Sequence, residues 1–153
     1  MILLCAFLVG IVAGLRSMLA PAIVSWFARE NLLAIGSTYL ALMSYTITAI
    51  SFTLLAVFEL IVDKLPKTPS RKQPLSFAVR ILTGSLVGAT VAASADKIVL
   101  GIVCGALGAV VGTLGGAAAR AKLAVVFGRD YRAAVLEDLV GIGIALFAIL
   151  KIA

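Results

Sequence analysis

Five apolar stretches follow one another along the chain, at about 2–28, 38–63, 75–95, 98–119 and 133–152, with short polar interludes between them. A hydrocarbon core about 30 Å thick takes roughly 20 residues of helix. Backbone groups that face lipid must be satisfied within their own segment, so each stretch is predicted to be helical. The third and fourth are parted only by residues 95–97, which read as a tight hairpin. The expected fold is an all-α membrane protein, a polytopic bundle of about five transmembrane helices forming one integral membrane domain over 1–153.

Composition points the same way. Of 153 residues, 63% are hydrophobic and only 13% are charged, and mean hydropathy is +1.19. An average globular domain is about 25% charged, and a small soluble chain has too much surface per volume to hide this much apolar area. The start, "MILLCAFLVG", lacks the basic segment of a secretory signal and its apolar run continues too far, so it reads as a retained transmembrane helix.

Net charge is +6. The thirteen Lys and Arg sit in short clusters between apolar runs without interleaved aromatics, so no nucleic-acid partner is read. They serve instead as topology signal and as contacts for the bilayer, anionic lipid included. Lys64, Lys67, Arg71, Lys72, Arg80, Arg120, Lys122, Arg129 and Arg132 fall on one side of a five-span arrangement; Arg29, Lys97 and Lys151 fall on the other. The expected orientation is N-terminus inside and C-terminus outside, in a multi-pass protein.

The first stretch contains a flaw, "AGLRSMLAP" (13–21), and the helix is expected to break within 14–21. Gly14 is permissive, and Pro21 lacks a donor and clashes one turn back. Arg16 would lie roughly 20 Å into the helix, where a cation must face protein or water. Arg16 and Ser17 are therefore candidate ligand- or ion-pathway residues; the plainer alternative is an arginine that snorkels or pins two helices together. The second stretch carries a polar stripe of Ser44, Thr48, Ser51, Glu59 and Asp63. Glu59 and Asp63 are like charges one turn apart and need shared cations, for which Lys64, Arg80 and Arg16 are the candidates. In the last stretch Glu137 continues a small-residue face through Gly141 and Ala145, while Asp138 suits the start of a helix. Glu59, Asp63, Arg80, Arg120, Glu137 and Asp138 are expected to converge near one membrane face, and converging intramembrane charges are a functional-site hypothesis.

Gly101, Gly105, Gly108, Gly112, Gly115 and Gly116 share one arc of the fourth stretch, and Gly84 and Gly88 mark the third. Such faces let backbones approach closely in lipid. They predict either an intrachain hairpin of these two helices or a homodimer seam. Cys5 and Cys104 lie in separate apolar segments and read as packing residues. The chain has no histidine, which excludes His-ligated metal or haem and His acid–base chemistry. With no nucleophile–base signature, phosphate loop or metal-ligand spacing, no catalytic residue, metal or cofactor is assigned.

"GLRSMLAPAIVSWFAR" (14–29), "FELIVDKLPKTPSR" (58–71), "GAVVGTLGGAAAR" (108–120) and "LEDLVGIG" (136–143) together resemble a domain-of-unknown-function family of small bacterial integral membrane proteins. The resemblance implies a place in the bacterial cytoplasmic membrane and marks Arg16, Ser17, Pro21, Asp63, Lys64, Pro66, Pro69, Ser70, Arg71, Glu137 and Asp138 as matching positions; it implies no substrate. Pro66 and Pro69 stiffen their loop, and Ser70 with Arg71 offers a donor and a fork suited to a phosphate or lipid head group. The function expected is a carrier or channel for a small, anionic solute or ion, using Arg16 and the carboxylates. The alternative is a membrane scaffold that binds lipid or a partner helix without transport.

Overall fold

The computed structural model describes residues 1–35, 39–63, 73–127 and 130–152, and the side chains of all these except 124–127 and 130–133. Lys64, Ser70 and Arg71 lie outside the described residues. Among the described residues every regular element is helical: α1 (Ile2–Leu15), α2 (Leu19–Arg29), a 3₁₀ segment (Tyr39–Ser44), α3 (Thr46–Val62), α4 (Pro74–Ala93), α5 (Ile98–Phe127) and α6 (Asp130–Leu150). By length and composition, α4 and the 98–123 part of α5 can cross a membrane, while α1 and α3 are shorter apolar helices.

Local chemistry accounts for several boundaries. Pro74 opens α4, where its missing N–H costs nothing. Beyond α4 the N–H of Lys97 reaches back to the Ala92 carbonyl and that of Asp96 to Ala93, both at 3.1 Å. This closure puts Asp96 at φ 54°, the left-handed position that ends many helices. Asn31, at φ 57°, does the same after α2. The tight hairpin expected at 95–97 is thus present.

The break expected within 14–21 is also present, but it is a reversal of direction and not a kink. Arg16 leaves helical geometry at φ −139°, ψ 110°. In an unbroken helix the Gly14 and Leu15 carbonyls would accept the N–H groups of residues 18 and 19. Here Arg80 Nη1 donates to both carbonyls, at 2.5 and 2.7 Å. The N–H of Met18 turns to Glu59 Oε2 at 2.9 Å. An arginine from α4 and a glutamate from α3 therefore stand in for helix hydrogen bonds, and lie 3.5 Å apart themselves.

Helix directions follow from neighbouring pairs. α5 runs parallel to α1: a Cβ on Gly108 would strike the Phe7 carbonyl, and one on Gly112 the Ile11 carbonyl. α4 runs antiparallel to α5, with Gly84 against Gly105 and Gly88 against Gly101. α2 runs antiparallel to α3, since Arg29 Nε donates to Thr46 Oγ1 at 3.0 Å while Ser17 and Met18 meet Glu59. α6 runs antiparallel to α1, with Asp138 at Arg16 and Gly141 beside Val12. Thus α1 and α3 end, and α2, α4 and α6 begin, at one end of the bundle. Met1, the 95–97 turn and Lys151 lie at the other. The one broken span expected over 2–28 is corrected to two antiparallel helices, and Met1 and Lys151, expected on opposite sides, share one end.

Gly105 is the tightest crossing. A Cβ there would fall on the Gly84 carbonyl, and one on Gly10 would fall on the Gly105 carbonyl. Gly84, Gly88, Gly101, Gly105, Gly108 and Gly112 thus meet α1, α4 or α5 of their own chain. The hairpin of α4 and α5 expected from the glycine pattern is present, with α1 as a third member that the pattern did not announce. Gly115, expected on the same arc, has nothing within 4 Å of its Cβ position.

Candidate functional site

The ionisable side chains gather around the 16–18 reversal. Arg16 is 1% exposed, the largest fully buried side chain among the described residues. Its Nη1 donates to Asp63 Oδ2 from the end of α3, and its Nε to Asp138 Oδ1 from α6, both at 2.6 Å. Arg120, from α5, adds a 2.8 Å hydrogen bond to the same Asp63 oxygen. It also stands 4.0 Å from Glu137 Oε2, a looser contact. Arg80 is 4% exposed and holds the α1 carbonyls and Glu59 as described.

Glu59 is fastened from the other side by the start of α2. Its Oε1 accepts the N–H of Ser17 at 3.0 Å and the Ser17 hydroxyl at 2.9 Å, and its Oε2 accepts the N–H of Met18. A carboxylate at a helix N-terminus satisfies free N–H groups and complements the helix dipole. Thr113 Oγ1 completes the surround, lying 3.2 Å from the Gly14 carbonyl.

Arg16, Ser17, Glu59, Asp63, Arg80, Glu137 and Asp138 therefore come together, although 122 residues separate Arg16 from Asp138 in the chain. Among the described residues the node sets three guanidinium groups (Arg16, Arg80, Arg120) against four carboxylates. Arg16 Nη2 is buried without a hydrogen-bond partner among the described residues. Beside the node a cleft of about 140 Å³ opens between α1, α5 and α6, lined by Leu15, Gly116, Arg120, Leu136, Glu137 and Val140.

Other expected members stand apart. Ser44 donates to the Ala41 carbonyl and Ser51 is exposed, so the polar stripe of α3 contributes only its Glu59 and Asp63 end. Arg120 was expected near this face but not as a direct partner of Asp63; a lone arginine in a small-residue helix carries no signal of the carboxylate it will meet. The α1 carbonyls are invisible to side-chain patterning altogether. Among the described residues no group of three or more His, Cys, Asp or Glu is placed to hold a metal ion. Cys5 and Cys104 are both free thiols.

The node cannot be compared with a characterised site elsewhere, because no curated protein and no solved structure matches the chain. A family profile does match, from residue 3 to residue 151, and covers every residue of the node. On that span the chain belongs to the family described as a domain of unknown function, DUF4126.

Proposed function

We propose that the chain is a multi-pass membrane protein of the bacterial cytoplasmic membrane that carries a small anionic solute or ion, with the Arg16 node as its binding site. The observation that carries this reading is Arg16 itself: a buried guanidinium at a helix break, held by carboxylates from two other helices. Broken helices beside ionisable residues are where many carriers place substrate and coupling ions. The outer surface supports a lipid setting. Ile47, Leu54 and Phe58 on α3, Leu82 on α4, Val99 on α5 and Leu139 on α6 are all exposed, an extent of apolar surface that a soluble monomer avoids.

The reversal supports one orientation. The node end of the bundle joins the cation-rich segments at 64–72 and 120–132, whereas Arg29, Lys97 and Lys151 belong to the other end. The positive-inside bias then puts the node toward the cytoplasm and both termini outside. In a background with Cys5 and Cys104 changed to alanine, an impermeant thiol reagent added to intact cells is expected to label Lys97→Cys and Lys151→Cys but spare Lys122→Cys. Opposite accessibility of Lys97→Cys and Lys151→Cys would contradict the shared end.

Flux tests the carrier reading. Liposomes holding the purified chain are expected to take up labelled acetate or sulfate faster than protein-free liposomes, with at least about tenfold loss, equivalent to roughly 1.4 kcal/mol, in Arg16→Lys and in Glu59→Gln. Flux no faster than in protein-free liposomes would retire it. A second reading, a non-transporting scaffold, has its own support. Arg80 and Glu59 replace missing helix hydrogen bonds, so part of the node already has a structural job. It predicts that these variants lose thermal stability and that no uptake is seen in any of them.

A further inference from the structure

We infer that the Met1 end of the bundle seats in the head-group layer of a phospholipid leaflet through Trp26, Arg29, Tyr39 and Tyr45, and that α1 and α2 form a re-entrant hairpin holding the Arg16 node near the middle of the hydrocarbon. This placement rests on the membrane reading and concerns where the node lies, not what it carries.

The sole tryptophan of the chain, Trp26, is exposed near the end of α2, as are Tyr39 and Tyr45 ahead of α3. Trp and Tyr join an apolar ring to a polar tip and collect at membrane–water interfaces. Trp26 Nε1 donates to Thr53 Oγ1 at 2.9 Å, and the Arg29 guanidinium lies 5.2 Å from the centre of the Trp26 ring. Arg29 is held by Thr46 and Glu30 while its side chain stays 39% exposed, which suits a cation facing lipid phosphate. On α6 a second such pair sets Lys151 over the Phe147 ring at 5.8 Å.

Helix lengths set the depth of the node below this belt. From the reversal α2 runs about 15 Å to Arg29, α6 runs about 18 Å from Asp138 to Leu150, and α4 runs about 20 Å from Arg80 to Ala93. In the other direction α4 and α6 extend about 9 and 12 Å past their node residues. A hydrocarbon core about 30 Å thick that begins at the belt therefore has the node near its middle. Exposed apolar side chains bracket that level, with Leu54 and Leu146 on the belt side and Leu75 and Leu136 on the other.

The reversal itself is built for such a depth. Non-helical backbone within the hydrocarbon is tolerated where protein supplies its partners. Here Arg80 takes the Gly14 and Leu15 carbonyls, and Glu59 takes the Ser17 and Met18 amides. Leu15 and Arg16 are buried. In the head-group layer water would serve these groups without the desolvation of two arginines. Broken helices near the midplane are also where many carriers bind cargo. On this placement α1 and α2 enter and leave on one side, and neither crosses the bilayer.

Trp26 is its own probe. The purified full-length chain is reconstituted into phosphatidylcholine liposomes brominated either high or low along the acyl chain, and tryptophan quenching is read. Trp26 is expected to be quenched more by the shallow bromine. In a Trp26→Phe background Phe147→Trp is expected to do the same. Leu139→Trp, exposed and next to Asp138, is expected to be quenched more by the deep bromine. Val140→Trp reads the same level should Leu139→Trp not melt cooperatively. Stronger quenching at residue 139 or 140 by the shallow bromine would overturn the proposal while leaving a membrane protein, as would stronger quenching of Trp26 by the deep one. No quenching of any of these residues by either lipid would retire the membrane reading as well. Anion flux, present or absent, decides the carrier and leaves the depth of the node unchanged.

Discussion

Arg16→Met is expected to destabilise the folded chain by about 3–5 kcal/mol, the range for removing one partner of a buried ion pair. The side chain that is lost bridges two helices at once, and both of its carboxylate partners are largely buried, with side chains 11% and 13% exposed. Asp63 keeps Arg120 as a partner, so most of the penalty should fall on Asp138, whose partner among the described residues is Arg16. Neutralising that residue tests the apportionment. Arg16→Met with Asp138→Asn is expected to regain at least about 1 kcal/mol, because the uncompensated charge is gone. Arg16→Lys should lie between, since an ammonium lacks the fork that reaches both carboxylates. Mixed-micelle denaturation or thermal melting in detergent reads these differences. An Arg16→Met protein that melts with the native one would show that the node does not hold the reversal together.

Gly105→Ala carries the second large effect. One methyl group there falls on the Gly84 carbonyl and close to the Gly88 backbone, neither of which can move aside as a flexible side chain can. Overpacking of this kind costs about 1–3 kcal/mol, occasionally more. The loss should be large because Gly105 also takes the close approach of Gly10 from α1. Gly115→Ala, in the same helix, is the internal control. Nothing lies within 4 Å of its Cβ position, so helix propensity alone applies and a gain of up to about 1 kcal/mol is expected. Similar losses at both sites would mean that the close crossing at Gly105 is not what the seam depends on.

The residues of the node were legible one at a time. Arg16, Glu59, Asp63, Glu137 and Asp138 stand out because ionised groups in apolar runs are costly and need a reason. Their pairing was not legible. Spacing within a helix says which of its residues share a face, but not that Arg16 takes Asp138 where Arg80 takes Glu59. The glycine pattern behaved similarly. Four-residue spacing in α4 and α5 marked surfaces built for close approach, yet it is silent on whether the approaching backbone belongs to α1, to α4 or to another chain. Gly14, by contrast, was read only as permissive, whereas it also lies against Ala109 and Thr113 of α5.

The sequence by itself determined that the chain is helical, that it is apolar beyond what a small soluble protein can hide, and that its first stretch is interrupted within 14–21. Each of these depends on local properties: composition, period, and residues that disfavour continued helix. Only the tertiary structure decided that the interruption turns the chain around and brings Met1 and Lys151 to one end of the bundle. Gly14, Arg16 and Pro21 are equally compatible with a kink and with a reversal, because either leaves carbonyl and amide groups in need of partners. What selects between them is the source of those partners, and they come from Glu59 and Arg80, more than 40 and 60 residues further along the chain.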